Sequence, residues 1–424
     1  MDVLCILATS LLLLAQEVTS ERRDFTGHRL VSVSARSRAQ VELLQSLESE
    51  TGYDELDFWS DPSLFRPTDI LVSPSDFGKL RTFLNEHNMV YQIKNENIQA
   101  AIDAEYVEVS KQSKLSSCPF TSTYCTYDQI QSFLLALQSA YPTKVKVTNI
   151  GTTYEGRNIY AVKVSENLSQ PKAKSVWVEA GTHAREWIAI ASALNLIDKL
   201  LTASRTESST MLRAYDWNIV PVHNPDGYAY SHSNSRLHRK NRQVESRPCY
   251  FSNYGIDLNR NWDADFGKAG TTTQCQGDTY PGMSAFAARE TTALRNAVLG
   301  DMPNVEAFFS VHCYSELMLL PHGFNNTKPA DYAHLFSVAE HMMRWLETVR
   351  GTYYLSGTPP EILYSASGGA YDYFKLQGVK YAYTYELSPS SSTGNGFVLS
   401  ATHIPAVSEE LFMSLWAFVD IVTK

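Results

Sequence analysis

Apolar runs alternate with amphipathic segments over most of the chain, and this pattern predicts a large α/β domain. After Cys118, several segments are continuous apolar runs, which are typical of sheet strands covered by helices on both faces. The predicted strands cover residues 145–150, 159–164, 176–180, 217–222, 307–311 and 381–387. Helical spacing of apolar positions predicts helices over 128–140, 187–200, 285–298, 332–349 and 408–422. We therefore expect an α/β fold with a mixed central sheet and helices on both faces over residues 115–424.

The front of the chain, residues 21–114, shows a different order of elements, and we refer to it as the front domain. Its pattern predicts strand, helix, strand, strand, helix and strand in succession, which is the order of a ferredoxin-like α+β sandwich. A further helix is predicted over 97–104, and the polar segment 108–117 behind it has no periodicity. We interpret this segment as an exposed linker in which Lys111 and Lys114 are candidate activation sites for a trypsin-like protease. A plain interdomain linker is the alternative.

The first twenty residues contain an apolar run, 3–15, that is shorter than the roughly 20 residues of a membrane-spanning helix. Val18 and Ser20 are small residues placed where signal peptidase cleaves, so we interpret residues 1–20 as a signal peptide, although Asp2 replaces the usual basic start. An ordinary buried helix is the alternative. A signal peptide predicts a secreted, extracellular protein, in which Asn167 and Asn325 are candidate glycosylation sites.

Composition narrows the choice of partners. With 424 residues, 44% of them hydrophobic, the chain is long enough for one large core and a second, smaller domain. The formal net charge of −9 is concentrated before residue 115, and the remainder is close to neutral. This distribution gives no reason to expect nucleic acid or an anionic membrane as a partner. No later run is long and apolar enough to cross a membrane, and we expect a monomer.

Two candidate metal ligands, His183 and Glu186, stand between the predicted strand 176–180 and the helix that follows it. At a helix start, residues three positions apart can share a face and bind one ion. Alone, the pair also fits a surface histidine and an acid that complements the helix dipole. A third candidate, His312, follows the strand 307–311, and strand ends carry the sites of α/β sheets. Two histidines and one glutamate leave a position open for water, which is typical of catalytic zinc.

Seven motifs in a fixed order carry a family resemblance. They are HAREW (183–187), NPDGY (224–228), SRLHRKNR (235–242), DLNRNW (257–262), SVHCYS (310–315), YSASGGAYDY (364–373) and YTYEL (383–387). From about residue 118 to its end, the chain resembles the secreted zinc metallocarboxypeptidases of the pancreatic carboxypeptidase A/B type. The front domain resembles the inhibitory prosegment of that family. The resemblance implies a proenzyme with a signal peptide (1–20), an activation prosegment (21–114) and a catalytic domain (115–424).

The resemblance also implies roles for individual residues. His183, Glu186 and His312 match the ligands of one zinc ion. Glu386 matches the general base that activates water, and Arg239 matches the donor that stabilises the oxyanion. Further positions match residues that contact the substrate: Arg185, Arg236, Asn259, Arg260, Tyr314, Tyr364, Tyr371 and Phe397. The implied activity is removal of single amino acids from peptide and protein C-termini, after a trypsin-like protease has cleaved the prosegment.

The pocket for the last side chain of the substrate determines which residue is released. Family members that prefer Lys or Arg have an Asp two residues after the Gly-Gly pair, where this chain has Tyr371. Without a buried acid, desolvating a cationic side chain would be unfavourable. We therefore expect A-type preference for neutral, apolar or aromatic residues, with the size of Tyr371 favouring the smaller ones. A B-like or other specificity, a non-catalytic peptide-binding homologue and a zinc acylase of small N-acyl amino acids are the alternatives.

One of the six cysteines lies in the predicted signal peptide, so that at least one of the remaining five is unpaired within the chain. The resemblance implies a disulfide between Cys249 and Cys275. Cys118 and Cys125 either pair with each other or do not, and the sequence leaves this open. Cys313, beside a candidate ligand, is either a small buried residue or a fourth, thiolate ligand.

Overall fold

Two β-sheets organise the computed structural model, which describes residues 22–49, 56–113, 119–202, 205–245, 255–390 and 394–424. The smaller sheet consists of β1 (Arg29–Ser34), β2 (Leu56–Phe58), β3 (Thr68–Val72) and β4 (Val90–Asn95). Its spatial order is β2-β3-β1-β4, and neighbouring strands run antiparallel. The helices α1 (Arg38–Ser49) and α2 (Phe77–Glu86) pack on this sheet through an apolar core that includes Val31, Leu44 and Leu80. This confirms the small α+β front domain that the sequence predicts.

The last helix of the front domain, α3 (Ile98–Ser113), is longer than its sequence predicts. Ile98, Ile102, Glu105 and Val109 recur on one buried face, and this face packs against the rest of the chain. The prediction of a non-periodic linker from residue 108 is therefore wrong up to residue 113, because these residues are helical, whereas the predicted exposure is found at Glu108, Ser110 and Lys111. Lys111 lies exposed in the last turn of α3, whereas Lys114 and Cys118 lie outside the described residues, as do the predicted signal peptide and Cys249.

The larger sheet is mixed, as predicted. Its strands are β5 (Val145–Thr152), β6 (Asn158–Val164), β7 (Ser175–Ala180), β8 (Asp216–Val220), β9 (Val305–Cys313), β10 (Leu317–Leu319), β11 (Leu355–Gly357) and β12 (Tyr381–Leu387). The spatial order is β11-β10-β12-β9-β7-β8-β6-β5. The central strands β12, β9, β7 and β8 run parallel to one another, and β5, β6 and β10 pair antiparallel with a neighbour.

Helices cover both faces of this sheet. They are α4 (Tyr127–Ala140), α5 (Trp187–Leu201), α6 (Thr206–Ala214), α7 (Pro225–Ser233), α8 (Arg289–Asp301), α9 (Tyr332–Arg350), α10 (Pro359–Ile362), α11 (Ala370–Leu376) and α12 (Ile404–Val422). Val178 and Phe309 join the core formed with α5, α9 and α12, whereas Trp177 and Phe308 face α8 and α11. Among the described helices none alone is long and apolar enough to cross a membrane, although the bent pair α5 and α6 together passes the same test of length and composition.

The register of the parallel strands determines where polar side chains meet. Glu386 on β12 pairs with His312 on β9, and Ser310 on β9 pairs with Glu179 on β7. Because parallel strands end at the same edge of a sheet, the polar residues at the ends of β7, β9 and β12 share one location.

Candidate active site

Three potential metal ligands converge at the carboxyl ends of β7 and β9. One ligand atom each from His183, Glu186 and His312 lies within 4.8 Å of the others, and all three residues are buried. His183 Nδ1 is 2.6 Å from Glu186 Oε1, and His312 Nδ1 is 3.1 Å from Glu186 Oε2 and 3.2 Å from His183 Nδ1. Two imidazole nitrogens and a carboxylate in a buried site form a donor set that zinc prefers. The residues present therefore fit one zinc ion.

The turn after β7 brings His183 and Glu186 into this position. Gly181 has a φ of +69°, and a Cβ there would lie 2.8 Å from Ile190 Cγ1, so the turn requires glycine. Glu186 is the N-cap residue of α5, but within the described residues its side chain makes no capping hydrogen bond. Its carboxylate instead contacts the two histidines and accepts the backbone N–H of Cys313 at 3.3 Å. The structure thus excludes the simple helix-start interpretation of Glu186.

Asp257, which the sequence analysis assigned no role, links the metal site to Arg239. Its Oδ1 is 3.0 Å from Nε2 of His183, and its Oδ2 accepts hydrogen bonds from Arg239 Nη2 at 2.9 Å and Nε at 3.2 Å. Burial alone would raise the pKa of Asp257, but Arg239 and His183 hold it well below its usual range. A carboxylate behind a metal-binding histidine fixes the orientation of the ring. The DLNRNW motif, which begins with this residue, was the available signal.

Glu386 faces the metal ligands from β12. It lines one cavity of about 90 Å³ together with His183, Glu186 and Arg239. Burial raises the pKa of Glu386 well above its usual range, and the neighbouring Glu186 adds to this, whereas His312 and Arg239 oppose it. Glu386 thus lies at the end of β12 and beside two of the candidate metal ligands.

The residues predicted to bind the substrate carboxylate lie beside this cavity. Arg260 is 6% exposed, and it donates from Nε to the carbonyl oxygen of Gly270 at 2.8 Å and from Nη1 to that of Asn259 at 3.0 Å. Asn259 and Arg260 line the 90 Å³ cavity. Tyr364 lines a separate cavity of about 980 Å³, which Arg260 also lines, and its ring lies next to Gly270. Tyr364 is absent from the lining of the cavity that His183 and Glu186 share.

Tyr371 lies at the predicted pocket for the last side chain. It is 5% exposed, and its hydroxyl is 2.2 Å from the position that a Cβ on Gly323 would occupy. Thr384 and Leu363 line the same cavity. The adjacent acid, Asp372, is absent from the lining and accepts the backbone N–H of Gly323 at 2.8 Å and 3.1 Å.

The remaining residues predicted to contact the substrate are Arg185, Arg236, Tyr314 and Phe397, and we call them the groove residues. All four contact the front domain. Arg185 donates from Nη1 to both oxygens of Asp57 at 3.0 and 2.8 Å. Arg236 donates from Nη2 to Glu105 Oε1 at 3.2 Å and from Nε to Glu105 Oε2. The hydroxyl of Tyr314 donates a hydrogen bond of 2.7 Å to the front-domain residue Asp69. The ring centroids of Phe397 and the front-domain residue Trp59 are 5.2 Å apart.

Front-domain residues also complete the cavity of the metal ligands: Phe58, Trp59, Ser60 and Asp61. Sequence reasoning missed these residues and the acids that contact the groove. Two signals for them were available: the excess of acidic residues before residue 115 and the resemblance of the front domain to an inhibitory prosegment. The front domain therefore occupies the groove.

The cysteines differ in state. Cys125 and Cys275 each take part in a disulfide bond, whereas Cys313 is free and buried. Burial, together with Glu186 and Glu386, raises the pKa of the Cys313 thiol well above its usual range. Among the described residues, Cys313 does not belong to the group whose ligand atoms converge, which consists of His183, Glu186 and His312.

Comparisons with known proteins agree with this geometry. The family model described as zinc carboxypeptidase matches residues 130–414, and the one described as carboxypeptidase activation peptide matches residues 31–105. Carboxypeptidase A1 of Bos taurus is 34% identical over 406 residues, covering 94% of each chain. Zinc carboxypeptidase A 1 of Anopheles gambiae is 33% identical, covering 98% of this chain and 94% of the relative.

Solved structures show the same similarity over nearly the whole chain. The carboxypeptidase A from Helicoverpa armigera matches with a TM-score of 0.85 at 26% identity, covering 95% of this chain and all of the other. Thrombin-activatable fibrinolysis inhibitor matches with a TM-score of 0.82 at 25% identity, covering 94% of this chain and 99% of the other. The chain therefore belongs to the zinc carboxypeptidase family, as a zinc metallocarboxypeptidase proenzyme of the A type whose activation peptide forms the front domain.

Proposed function

We propose that this proenzyme is secreted and, after cleavage of its prosegment, releases single neutral amino acids from the C-termini of peptides with Glu386 as general base. The observation that carries the proposal is the position of Glu386, which pairs with His312 on the parallel neighbouring strand and lines one cavity with the other two metal ligands, His183 and Glu186. We assign residues 1–20 to the signal peptide, 21–114 to the prosegment and 115–424 to the catalytic domain, and we expect the enzyme to be a monomer.

The catalytic roles follow from the positions of the side chains. Bound zinc supplies a Lewis acid that lowers the pKa of water toward ~7 and polarises a carbonyl group. Glu386 accepts the proton of the attacking water and passes it to the leaving amine. Arg239 donates to the carbonyl oxygen of the substrate as that oxygen gains negative charge, and its two hydrogen bonds to Asp257 hold the guanidinium in place.

Recognition of the free C-terminus falls to Asn259 and Arg260. The guanidinium of Arg260 is held by the carbonyl oxygens of Gly270 and Asn259, so its planar fork is oriented before substrate arrives. Such a fork fits a carboxylate with two parallel hydrogen bonds. Tyr364, beside Gly270, would close on the carboxylate from the adjacent cavity.

Specificity for neutral side chains follows from the pocket lining. Tyr371, Leu363 and Thr384 carry no charge, and Asp372 is engaged by the backbone of Gly323. A lysine or arginine side chain would thus be desolvated without a partner. Because the ring of Tyr371 reaches Gly323, we expect small and medium apolar residues to be released faster than Phe.

Activation requires removal of the prosegment from the groove. Its carboxylates hold groove residues that a substrate would contact, through the pairs Asp57 with Arg185, Asp69 with Tyr314 and Glu105 with Arg236. We propose that a trypsin-like protease cleaves after Lys111 or Lys114. Lys111 lies in the last turn of α3, where helices fray, so local opening makes it accessible.

The test is trypsin treatment of the purified proenzyme, N-terminal sequencing of the product and assay on matched peptides ending in Ala, Leu, Phe, Lys and Glu. We expect cleavage after Lys111 or Lys114, one zinc per chain, and the highest kcat/KM for Ala or Leu. Glu386→Gln should be processed and bind zinc normally yet lose roughly 10²–10⁴-fold in kcat. A Glu386→Gln enzyme with full activity would refute the mechanism, and fastest release of Lys would refute the specificity.

A further inference from the structure

A buried polar cluster behind His312 has no role in the chemistry described so far. It consists of Glu179, Thr182, His223 and Ser310, all buried, with Glu179 at 1% exposure. Ser310 Oγ lies 2.6 Å from Glu179 Oε2 and 2.9 Å from His312 Nε2. The hydroxyl of Thr182 donates to Glu179 Oε1, and its oxygen lies 2.8 Å from His223 Nδ1. One carboxylate thus contacts residues next to two metal ligands.

The direction of these hydrogen bonds follows from Glu179. An ionised carboxylate only accepts, so the hydroxyls of Ser310 and Thr182 must both donate to it. The hydroxyl of Ser310 has a single proton, and its oxygen therefore accepts from Nε2–H of His312. In the neutral form of His312, which is the form that binds a metal, Nδ1 is then without a proton, and this atom faces Glu186 at 3.1 Å and His183 at 3.2 Å.

The same carboxylate also holds the second ligand-bearing segment. Thr182 precedes His183 in the turn after β7, so its hydrogen bond to Glu179 fixes that turn. A buried carboxylate such as that of Glu179 is stable only when hydrogen bonds compensate its charge. An apolar residue of similar size would pack at this position of β7 without needing such bonds, so packing alone does not explain the acid. The two described hydroxyl groups that donate to Glu179 belong to Thr182, which precedes His183, and to Ser310, which stands two residues before His312.

We propose that Glu179, acting through Ser310 and Thr182, is a positioning residue of the zinc site. It keeps the proton of His312 on Nε2, so that Nδ1 is free to bind the metal, and it holds the turn that presents His183. Partners of this kind behind a metal-binding histidine typically change metal affinity 10- to 100-fold when they are removed. The inference rests on zinc binding by His183, Glu186 and His312, and it is independent of the proposed base and specificity.

The experiment measures zinc affinity of the full-length proenzyme by competition with a chromophoric chelator, and thermal stability of the metal-free protein. Ser310→Ala removes the acceptor of His312 Nε2–H. Glu179→Gln supplies an amide donor, which allows the Ser310 hydroxyl to turn and donate to His312 Nε2. Ser408→Ala is the control, because Ser408 is equally buried at 1% exposure but lies on α12 and bonds only to Ser192 among the described side chains.

We expect both site variants to bind zinc about 10- to 100-fold more weakly and the control to match the wild type. The double variant Ser310→Ala/Glu179→Gln should be no weaker than the weaker single variant, because both act through one chain of hydrogen bonds. Wild-type zinc affinity in both site variants would overturn the proposal, even if their metal-free forms melt earlier. An equal loss in Ser408→Ala would also overturn it. Failure of the wild type to bind one zinc would instead contradict the metal site itself.

Discussion

The active site has a metal side, which carries the zinc ligands, and a groove side, which carries the residues that contact the front domain. The buried polar groups of these two sides find their hydrogen-bond partners in different domains. On the metal side, His183 is held by Asp257 and His312 by Ser310, and all four residues belong to the catalytic domain. On the groove side, Arg236 is held by the prosegment acid Glu105. The metal side is therefore pre-arranged for chemistry regardless of the prosegment. The groove side exchanges prosegment contacts for substrate contacts.

Arg239 tests this division most strongly, because it belongs to the metal side through Asp257 but borders the groove. Arg239→Ala removes a donor to the developing oxyanion, so kcat/KM of the activated enzyme should fall roughly 10²–10³-fold. Steady-state kinetics after trypsin treatment measure this. Zinc content and the stability of the prosegment complex should be unchanged. An equally large loss of zinc would show that the two sides are not separable at this residue.

Glu105→Gln tests the groove side. The pair of Glu105 and Arg236 is almost fully buried, with side-chain exposures of 4% and 1%, so removing the charge leaves Arg236 uncompensated. We expect the activity of the uncleaved proenzyme to rise roughly 10-fold or more, and zinc affinity to stay the same. Glu96→Gln is the matched control, because Glu96 pairs with Arg29 at the surface and is 68% exposed. Equal effects of the two variants would contradict the assigned role of Glu105.

Tyr371 tests whether the volume of the pocket for the last side chain determines which residue is released. Tyr371→Val removes the ring that reaches Gly323 and deepens the pocket. The ratio of kcat/KM for C-terminal Phe over Ala should increase about 10-fold, within the range that hydrophobic pockets discriminate. Matched peptide pairs measure it. An unchanged ratio would show that the ring does not limit the pocket.

A further test concerns the pH dependence of stability and a buried histidine near Arg236. Burial, with a contribution from Arg236, lowers the pKa of His232 from an ordinary 6.5 to about 3. Above pH 6.5 the folded and unfolded states both keep this histidine neutral. As the pH falls from 6.5 toward 3, only the unfolded chain takes up the proton, so stability decreases by up to about 1.4 kcal/mol per pH unit.

His232→Gln should remove this part of the pH dependence, because glutamine does not titrate. Denaturant unfolding of the metal-free proenzyme at pH 7 and pH 5 measures the difference. His238, whose pKa burial also lowers to about 3, provides an independent contribution of the same sign. The same loss of stability between the two pH values in wild type and His232→Gln would contradict the prediction.

The same division explains what the sequence predicts well. Strands β7, β9 and β12 are continuous apolar runs, so their ends could be located, and the motifs at those ends carried His183, His312 and Glu386. The candidate ligands and Glu386 were therefore predictable, but Asp257 and Ser310, which contact the two histidines, were assigned no role. The buried acid Glu179 was not predictable either, because its partner Ser310 lies 131 residues away in the chain.

The groove side was less predictable for the same physical reason. Asp57 and Glu105 are ordinary acids in their own segments, and only folding brings them to Arg185 and Arg236 over separations of 128 and 131 residues. The length of α3 was missed because the surface that buries Val109 belongs largely to the catalytic domain. Local periodicity does not report contacts of this kind.

The aromatic core determines how an insertion near Glu386 would be tolerated. Tyr381, Tyr383 and Tyr385 alternate along β12 into the core with Phe309 and Phe418, whereas Ala382 faces the opposite layer. Because side chains alternate between the faces of a strand, one extra residue before Tyr381 would invert this arrangement. A carboxylate would enter the aromatic layer and a tyrosine would replace it beside the zinc ligands. The three rings therefore fix the register of β12, and the position of Glu386 beside the zinc ligands depends on them.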